Sequence, residues 1–336
     1  MRQDLYPLTF IPVFRDYLWG GRNLEALYGR ALPPGIVAES WEISGHPSSP
    51  TVVEAGYWRG RALPEVLAAL GEELVGRNNR AMLARGRFPL LVKLLDANAP
   101  LSVQVHPDDA YAQAHEGGEP GKTELWYVLH AKPGAALIYG LAQEVTREAF
   151  LAALQAGNLE RYLQRLPVAA GDAIFIAAGT VHALLAGIVV AEIQQNSDTT
   201  YRVYDWGRLG ADGKPRPLHV DKALEVINLH QVAPGKVAPA VIEARENLRR
   251  ALLARCPQFT VERVELAAGG EFAGRCEGAT FEIWGCVAGR GTLHWAGAPV
   301  ALPAVRFVLL PAMMGEYAVR AEEASTFLRA YVEAER

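Results

Sequence analysis

The segment PLSVQVHPDDAY, at positions 100 to 111, carries polar side chains whose spacing could serve chemistry. Ser102, Gln104 and His106 fall on one face of an extended chain, because successive strand residues point to opposite sides. The apolar residues that alternate with them are Leu101, Val103 and Val105. If the polar face lined the inside of a small β-barrel, Gln104 and His106 would point into the same cavity. The row therefore predicts an interior metal or substrate site.

Two later segments supply side chains that would complete such a metal site. Glu124 shares a strand face with Trp126 in GKTELWYVL, and His182 follows a glycine-containing turn in AGTVHALL. A divalent ion held in a barrel takes nitrogen and carboxylate ligands from neighbouring strands. Two neutral imidazoles, one amide and one carboxylate would leave the ion a net charge of about +1, suited to polarising a hydroxyl or carbonyl group. The predicted ligands are Gln104, His106, Glu124 and His182.

The segment AEIQQNSDTTYRVYDWGR, at positions 191 to 208, contributes another polar face. Glu192 and Gln194 share one side of a predicted strand, and the Asn-Ser-Asp sequence that follows favours a sharp reversal. Arg202 then lies on the next strand. An inward arginine is costly unless it meets a carboxylate or a phosphate, so Arg202 is either an ion-pair partner or a substrate clamp. The spacing alone leaves both interpretations open.

Composition narrows the class of protein. The 336 residues suit two domains or one elaborate domain, and the net charge of -4 provides no basic field for a nucleic-acid backbone. No stretch is long and apolar enough to cross a membrane. The three cysteines, Cys256, Cys276 and Cys286, lack CxxC spacing, which is typical of a reducing compartment. We expect a cytoplasmic protein with no nucleic-acid or membrane partner.

The elements that must position these residues are mostly short strands. Apolar periodicity predicts helices over 63–76, 146–166 and 219–229, the second of them broken at Gly157-Asn158. The rest reads as strands separated by Gly, Pro, Asn and Asp, which indicates an antiparallel sandwich or barrel with added helices. In segment 230–258 the composition changes, with prolines, a glycine and a run of arginines between strand-like segments. We therefore predict a domain boundary within it, near 235–250.

Four segments in chain order resemble one enzyme family. LLVKLLDANAPLSVQVHPDD, GKTELWYVL, GTVHAL and EIQQNSDTTYRVYDWGR are similar to the type I mannose-6-phosphate isomerases, specifically their short bacterial branch. The resemblance implies a mainly β fold with two cupin-type (jelly-roll) barrels and a few helices inserted in or packed on the first. It implies a catalytic, metal-binding domain over 1–240 and a metal-free cupin-like domain over 241–336. It also implies a single zinc ion per chain, bound by the four ligands predicted above.

The activity implied is the interconversion of mannose 6-phosphate and fructose 6-phosphate through a cis-enediol. Such an isomerisation needs a base, a group that stabilises the developing oxyanion and a grip on the phosphate. By resemblance, Lys122 or Glu192 would handle protons and Arg202 would stabilise the enediolate. Lys93 and Ser102 would bind the substrate, as candidates for its phosphate.

Two other classes of protein fit parts of the pattern. Two histidines and a carboxylate also suit an iron-dependent cupin oxygenase, although a fourth ligand at Gln104 and the basic residues argue against open positions for oxygen. A non-enzymatic sugar-phosphate sensor or degenerate cupin would have lost ligands or proton-handling residues, which are all present here. Since no strand reads as a long, flat apolar edge, we expect a monomer.

Overall fold

The computed structural model describes residues 3–210 and 213–334. The chain forms two compact units, both discontinuous in sequence. The first unit comprises Met1–Phe14, Ser40–Leu94 and Val237–Arg336, and the second comprises Arg15–Glu39 and Leu95–Lys236. This division differs from the predicted domains 1–240 and 241–336, and that domain assignment stays a prediction.

The helices are short and differ in places from the predicted ones. In the described residues the α-helices are α1 Asn23–Tyr28, α2 Leu63–Leu70, α3 Glu72–Val75, α4 Arg80–Ala84, α5 Asp109–His115, α6 Arg147–Gln155 and α7 Val220–Val226. The predicted helix 63–76 is two helices because Gly71 adopts a φ of 54°, which ends α2. The predicted helix 146–166 is wrong beyond Gly157, where the chain turns through a 3-10 segment into a strand.

Strands make up most of the remaining regular structure. In the first two thirds of the chain they are β1 Phe10–Ile11, β2 Val13–Arg15, β3 Glu39–Ile43, β4 Val52–Val53, β5 Leu90–Ala97, β6 Val103–Val105, β7 Glu124–Ala131, β8 Ala136–Leu141, β9 Leu163–Pro167, β10 Ala173–Ile176, β11 His182–Leu184, β12 Ile188–Gln195 and β13 Tyr201–Tyr204. In the last third they are β14 Ala240–Arg245, β15 Leu248–Arg255, β16 Thr260–Leu266, β17 Glu271–Cys276, β18 Glu282–Ala288, β19 Arg290–Trp295, β20 Val300–Pro303, β21 Arg306–Leu310, β22 Gly315–Ala321 and β23 Ser325–Tyr331. The prediction of a mainly β fold is confirmed. The arginine-rich segment 230–258, in which the sequence predicts a domain boundary, contains strands β14 and β15.

The second unit encloses its core between two antiparallel sheets. One sheet has the order β13-β6-β11-β8-β9, and on the other β7 lies between β10 and β12. The enclosed core contains Trp126 and Val128 from β7, Ile174 from β10, and Leu137 and Leu184 from the opposite sheet. Since residues two apart on a strand share a face, Glu124 and His182 point toward the same interior as Trp126 and Leu184.

The apolar face of β6 packs on the outside of its sheet. Val103 and Val105 are fully buried in a cluster with Phe150 of α6 and Leu224 of α7. The alternation predicted from residue 101 onward is wrong at its first member, because β6 begins at Val103. Leu101 belongs instead to the inner core.

The first unit contains a separate sandwich formed by strands β14 to β23. A sheet of order β14-β15-β16-β23-β18-β21 faces one of order β17-β22-β19-β20, with a common core that includes Trp284, Leu293, Val308 and Phe327. The helical region α2 to α4 joins this unit, where the amide of Phe281 donates to the Val75 carbonyl at 3.2 Å. The helical region α2 to α4 therefore contacts the chain just before β18, about two hundred residues later in the sequence.

Buried charges fill part of the interior of this sandwich. Arg329 donates through Nε and Nη2 to the two carboxylate oxygens of Glu282, at 2.6 and 2.7 Å. Tyr317 Oη and Trp284 Nε1 donate to the same carboxylate at 2.5 and 3.0 Å. Because both oxygens of Glu282 are engaged, this cluster is a closed structural network.

Two further findings concern the described residues as a whole. None of their helices has the length and apolar character needed to cross a membrane. The cysteines Cys256, Cys276 and Cys286 are free thiols, and burial raises the pKa of Cys286 to about 12.

Candidate metal centre

The polar row of β6 lies between two partner strands. Gln104 is directly opposite His182 of β11 on one side and directly opposite Arg202 of β13 on the other. Paired residues of antiparallel strands point to the same face, so these three side chains form one row across the sheet. Glu124, at the start of β7, pairs with Ile176 and Gln194 on the facing sheet.

His106, Glu124 and His182 come together in the interior. Their ligand atoms all lie within 4.8 Å of one another. Glu124 Oε1 is 3.6 Å from His106 Nε2 and 3.2 Å from His182 Nε2. All three residues are at most 1% exposed. A tetrahedral zinc ion with bonds of about 2.0–2.2 Å holds its ligand atoms about 3.3–3.6 Å apart, so the two distances from Glu124 Oε1 suit a metal ion.

The two imidazole rings are fixed by their outward nitrogens. His106 Nδ1 lies 2.9 Å from the Thr199 carbonyl oxygen, and His182 Nδ1 lies 2.9 Å from that of Thr180. A carbonyl oxygen only accepts, so each Nδ1 carries the hydrogen and each Nε2 presents a lone pair to the interior. This is the tautomer that a metal-ligating histidine requires.

One carboxylate oxygen of Glu124 is buried without a hydrogen-bond donor among the described residues. Among the described residues no hydrogen bond reaches its Oε1, the atom that faces the two imidazoles. Burial would raise the pKa of Glu124, but the charge of Lys122 lowers it well below the ordinary value. Burial, reinforced by Lys122, lowers the pKa of His106 to about 3. A carboxylate and a neutral imidazole at physiological pH fit the donor set of a divalent metal site.

Gln104 lies beside this trio as the predicted fourth ligand. Its Nε2 is 3.3 Å from His182 Nε2, and the residue is only partly buried. The amide donates there because the imidazole nitrogen carries a lone pair. Half a turn of the amide group would exchange Nε2 for Oε1 and present an oxygen instead. Gln104 can therefore supply an oxygen ligand without any change in backbone.

Lys122 contacts the trio from the loop that precedes β7. Its Nζ is 2.8 Å from Glu124 Oε2, 3.3 Å from His106 Nε2 and 3.5 Å from Glu192 Oε1. Glu192 is 2% exposed and also accepts from Trp126 Nε1 at 3.3 Å. Burial by itself would lower the pKa of Lys122, but Glu124 and Glu192 raise it above the ordinary lysine value. Lys122 is therefore a buried ammonium group at neutral pH.

Hydrogen bonds of Asp109 and Gln195 hold the loop that carries Lys122. Asp109 Oδ1 accepts from the amide of Gly121 at 2.8 Å and from Gln195 Nε2 at 2.9 Å. Gln195 Oε1 in turn accepts from the amide of Thr123 at 2.9 Å. Asp108 caps α5 by accepting from the amide of Tyr111. The Pro-Asp-Asp sequence after His106 favours a turn, but the bonds of Asp109 to Gly121 and Gln195 depend on the fold.

The remaining predicted site residues occupy distinct surroundings. Ser102 is 5% exposed and precedes β6 in the second unit. Lys93 lies in the first unit, 2% exposed, with Nζ 4.2 Å from the centre of the Trp41 ring. Lys93 is therefore a buried lysine and not a solvated strand residue.

Arg202 is half-buried in the second unit. Within the described part of the chain it forms no salt bridge with a carboxylate, and no hydrogen bond reaches its buried Nε. Burial, with the nearby charge of Arg216, lowers the pKa of Arg202. The sequence left two interpretations of Arg202 open, an ion-pair partner or a substrate clamp. Among the residues that it describes, the structure does not show the ion pair.

A β-sandwich with inward imidazoles and a carboxylate on facing sheets defines a cupin-type protein with a candidate metal centre. A family model for the catalytic domain of type I phosphomannose isomerases matches residues 8–122. The probable mannose-6-phosphate isomerase GmuF of Bacillus subtilis is 37% identical over 94% of this chain and 96% of that protein. The chain therefore belongs to the type I phosphomannose isomerase family.

Further comparisons agree with this assignment. The mannose-6-phosphate isomerase of Streptococcus mutans is 40% identical over 78% of this chain and 79% of that protein. The crystal structure of the mannose 6-phosphate isomerase from Bacillus subtilis superimposes with a TM-score of 0.86 at 32% identity, covering 97% of this chain and 99% of that one. A putative mannosephosphate isomerase from Archaeoglobus fulgidus, at 22% identity and a TM-score of 0.78, shares the fold. The predicted family, cupin-type fold and isomerase class are confirmed.

Proposed function

We propose that this protein is a zinc-dependent isomerase that interconverts D-mannose 6-phosphate and D-fructose 6-phosphate through a cis-enediol. The observation that carries the proposal is the convergence of His106, Glu124 and His182 on one point of the interior, with Lys122 in contact. The substrate is inferred from the relatives, which are named mannose-6-phosphate isomerases. The residues of the candidate metal centre support this type of reaction, because they could bind a metal ion and transfer protons.

The metal would be held by His106, Glu124 and His182, with Gln104 Oε1 as the fourth ligand. Two imidazole nitrogens and a carboxylate oxygen form a donor set that suits zinc. When bound, the ion would act as a Lewis acid toward the oxygens on carbons 1 and 2 of the sugar.

The protons would be moved by Lys122 and Glu192. Because the pKa of Lys122 is raised, the group is an ammonium ion at neutral pH, so it carries a proton and would place a positive charge beside the sugar oxygens. The Glu192 carboxylate, held by Trp126 Nε1, is then the acceptor for the proton removed from carbon 2. Glu192 would return that proton to carbon 1, while Lys122 would give a proton to the oxygen on carbon 1 and take up the hydroxyl proton released from the oxygen on carbon 2.

Arg202, Ser102 and Lys93 are proposed to contact the substrate. Arg202 has a free guanidinium edge and a position beside Gln104, which suits stabilisation of the enediolate oxygen. Ser102 and Lys93 are proposed for the phosphate, on the basis of the family resemblance. Buried hydroxyl and ammonium groups are strong partners for a phosphate that enters a water-poor site. The cytoplasmic location, the monomeric state and the metal-free second cupin domain stay predictions.

The test is a metal-controlled turnover assay with the purified protein. Chelator-treated protein is reloaded with zinc, ferrous iron or no metal, and conversion of mannose 6-phosphate to fructose 6-phosphate is measured. Glucose 6-phosphate and free mannose are assayed beside it. We expect about one zinc per chain and turnover restored by zinc. Full turnover by a metal-free His106→Ala protein would overturn the zinc mechanism, and oxygen consumption with iron would favour the oxygenase.

A further inference from the structure

Arg202 is held at three points by a short segment that precedes α7. The amide of Arg202 donates to His219 Nδ1 at 3.1 Å, and the amide of His219 donates to the Arg202 carbonyl at 2.8 Å. Arg202 Nη1 donates to the Pro217 carbonyl at 2.9 Å. His219 thus satisfies both the amide and the carbonyl of Arg202, while the Pro217 carbonyl binds the guanidinium group.

The position of β13 explains why this clamp matters. β13 is the end strand of the sheet of order β13-β6-β11-β8-β9, so within residues 3–210 and 213–334 no further strand pairs with its other edge. Its register with β6 also shifts between Arg202 and Tyr204. An end strand with an irregular ladder is weakly fixed by backbone pairing alone. His219 takes the place that a neighbouring strand would fill at residue 202.

The imidazole of His219 is suited to accept this hydrogen bond. The donor is a backbone N–H, so Nδ1 must carry a lone pair and the ring must be neutral. Burial and the positive charges of Arg202 and Lys222 lower the pKa of His219, while Glu116 opposes them. The ring also lies 6.4 Å from the Tyr201 ring, which limits its rotation.

We propose that His219 is a positioning residue that sets Arg202 opposite Gln104 for the isomerase reaction. The inference rests on the proposed function, because it assumes that Arg202 contacts the reacting sugar. His219 itself acts only through Arg202. A displacement of about 1 Å of a catalytic group is enough to cost orders of magnitude in rate, so a main-chain clamp of this kind has a measurable effect.

The test compares His219→Ala with His219→Asn in the full-length, zinc-loaded protein. Asparagine carries Oδ1 where histidine carries Nδ1, so it preserves an acceptor for the Arg202 amide. We expect His219→Ala to lower kcat about tenfold with little change in KM, because Arg202 acts in the transition state. His219→Asn should recover most of the loss, and zinc content should be unchanged in both. The matched control is His230→Ala, which removes an exposed histidine outside the clamp.

Two measurements separate positioning from a general folding effect. His219→Ala should add nothing to the loss seen in Arg202→Ala, whereas independent effects would multiply. Amide hydrogen exchange at Arg202, which needs no activity, should be faster in His219→Ala than in the wild type and in His219→Asn. Multiplicative losses, unchanged exchange, or wild-type kcat in His219→Ala would each overturn the inference. Wild-type turnover in Arg202→Ala would instead overturn the role of Arg202 in the proposed function, and the inference with it.

Discussion

Gln104 and His182 face each other across neighbouring antiparallel strands, with Gln104 Nε2 3.3 Å from His182 Nε2. Gln104 is partly buried, whereas His182, a second member of the predicted ligand set, is fully buried. Because His182 Nδ1 is bound to the Thr180 carbonyl, the ring cannot turn away, and adjustment falls to the amide. Gln104 is therefore the adaptable member of the predicted ligand set, and His182 is a fixed one.

Removing the carboxylate of the trio should abolish tight metal binding. In Glu124→Gln the charge is lost, although the shape is kept. We expect zinc affinity to fall by more than about 100-fold, since changes to outer partners of metal ligands alone cost 10–100-fold. Zinc content after dialysis and a competition titration with a chelator measure this. For comparison, we expect Gln104→Asn to lower the zinc affinity less than Glu124→Gln does. Equal zinc affinities of the wild type and Glu124→Gln would rule out Glu124 as a ligand.

Lys122 should matter for proton transfer more than for holding metal. Lys122→Met removes the buried ammonium group, and we expect kcat to fall by about 10²–10⁴ while zinc content remains near the wild-type value. Lys122→Arg restores charge with a different geometry and should recover only part of the rate. The control is Lys222→Met, which removes an exposed lysine paired with Glu116. A Lys122→Met protein with full kcat would contradict the assignment.

The buried network of the first unit should behave as structure and not as a site. Glu282→Leu leaves Arg329 buried without its two strong bonds, so we expect a loss of about 3–5 kcal/mol in the free energy of unfolding. The double variant Glu282→Leu/Arg329→Met should recover much of this loss, because neither charge remains unpaired. Urea unfolding followed by circular dichroism measures both. The exposed pair Arg320 and Glu271 is the control, and Glu271→Leu should cost at most about 1 kcal/mol.

Asp205 should contribute stability that disappears in acid. Burial would raise the pKa of its carboxyl group, but Arg216 and Arg208, at 2.6 and 2.5 Å, lower it below the ordinary 3.8. As pH falls through 3.8 the unfolded chain takes up this proton first, so the contribution is fully present above pH 3.8 and is lost as pH falls through the lower folded pKa. We expect the stability gap between wild type and Asp205→Asn to be constant from pH 7 to about pH 5 and to shrink below about pH 4.

Urea unfolding at several pH values tests this dependence. Asp16→Asn, at an exposed position, is the matched control for removing a carboxylate. A gap for Asp205→Asn that widened in acid would show that the arginines do not stabilise the ionised carboxylate.

Local pattern was enough to pick out His106, Glu124 and His182, which the structure brings together as a candidate metal centre. Alternation placed Gln104 and His106 on one strand face, and turn residues separated the strands that carry Glu124, His182 and Glu192. These inferences succeed because side-chain direction along a strand depends only on the two-residue repeat. The same reasoning failed at Leu101, because β6 begins later than the apolar pattern suggested, and after Gly157, because α6 ends earlier.

The sequence by itself therefore determined the mainly β character, the strand faces and, through resemblance, the family. Only the tertiary structure decided which nitrogen of each histidine faces inward, that the pKa of Lys122 is raised, and that His219 clamps Arg202. Each of these depends on partners brought close by strand pairing and not by chain neighbours, such as the Thr199 carbonyl beside His106. Hydrogen bonds and charge interactions act over a few ångströms, so they are set by distances that a linear pattern does not contain.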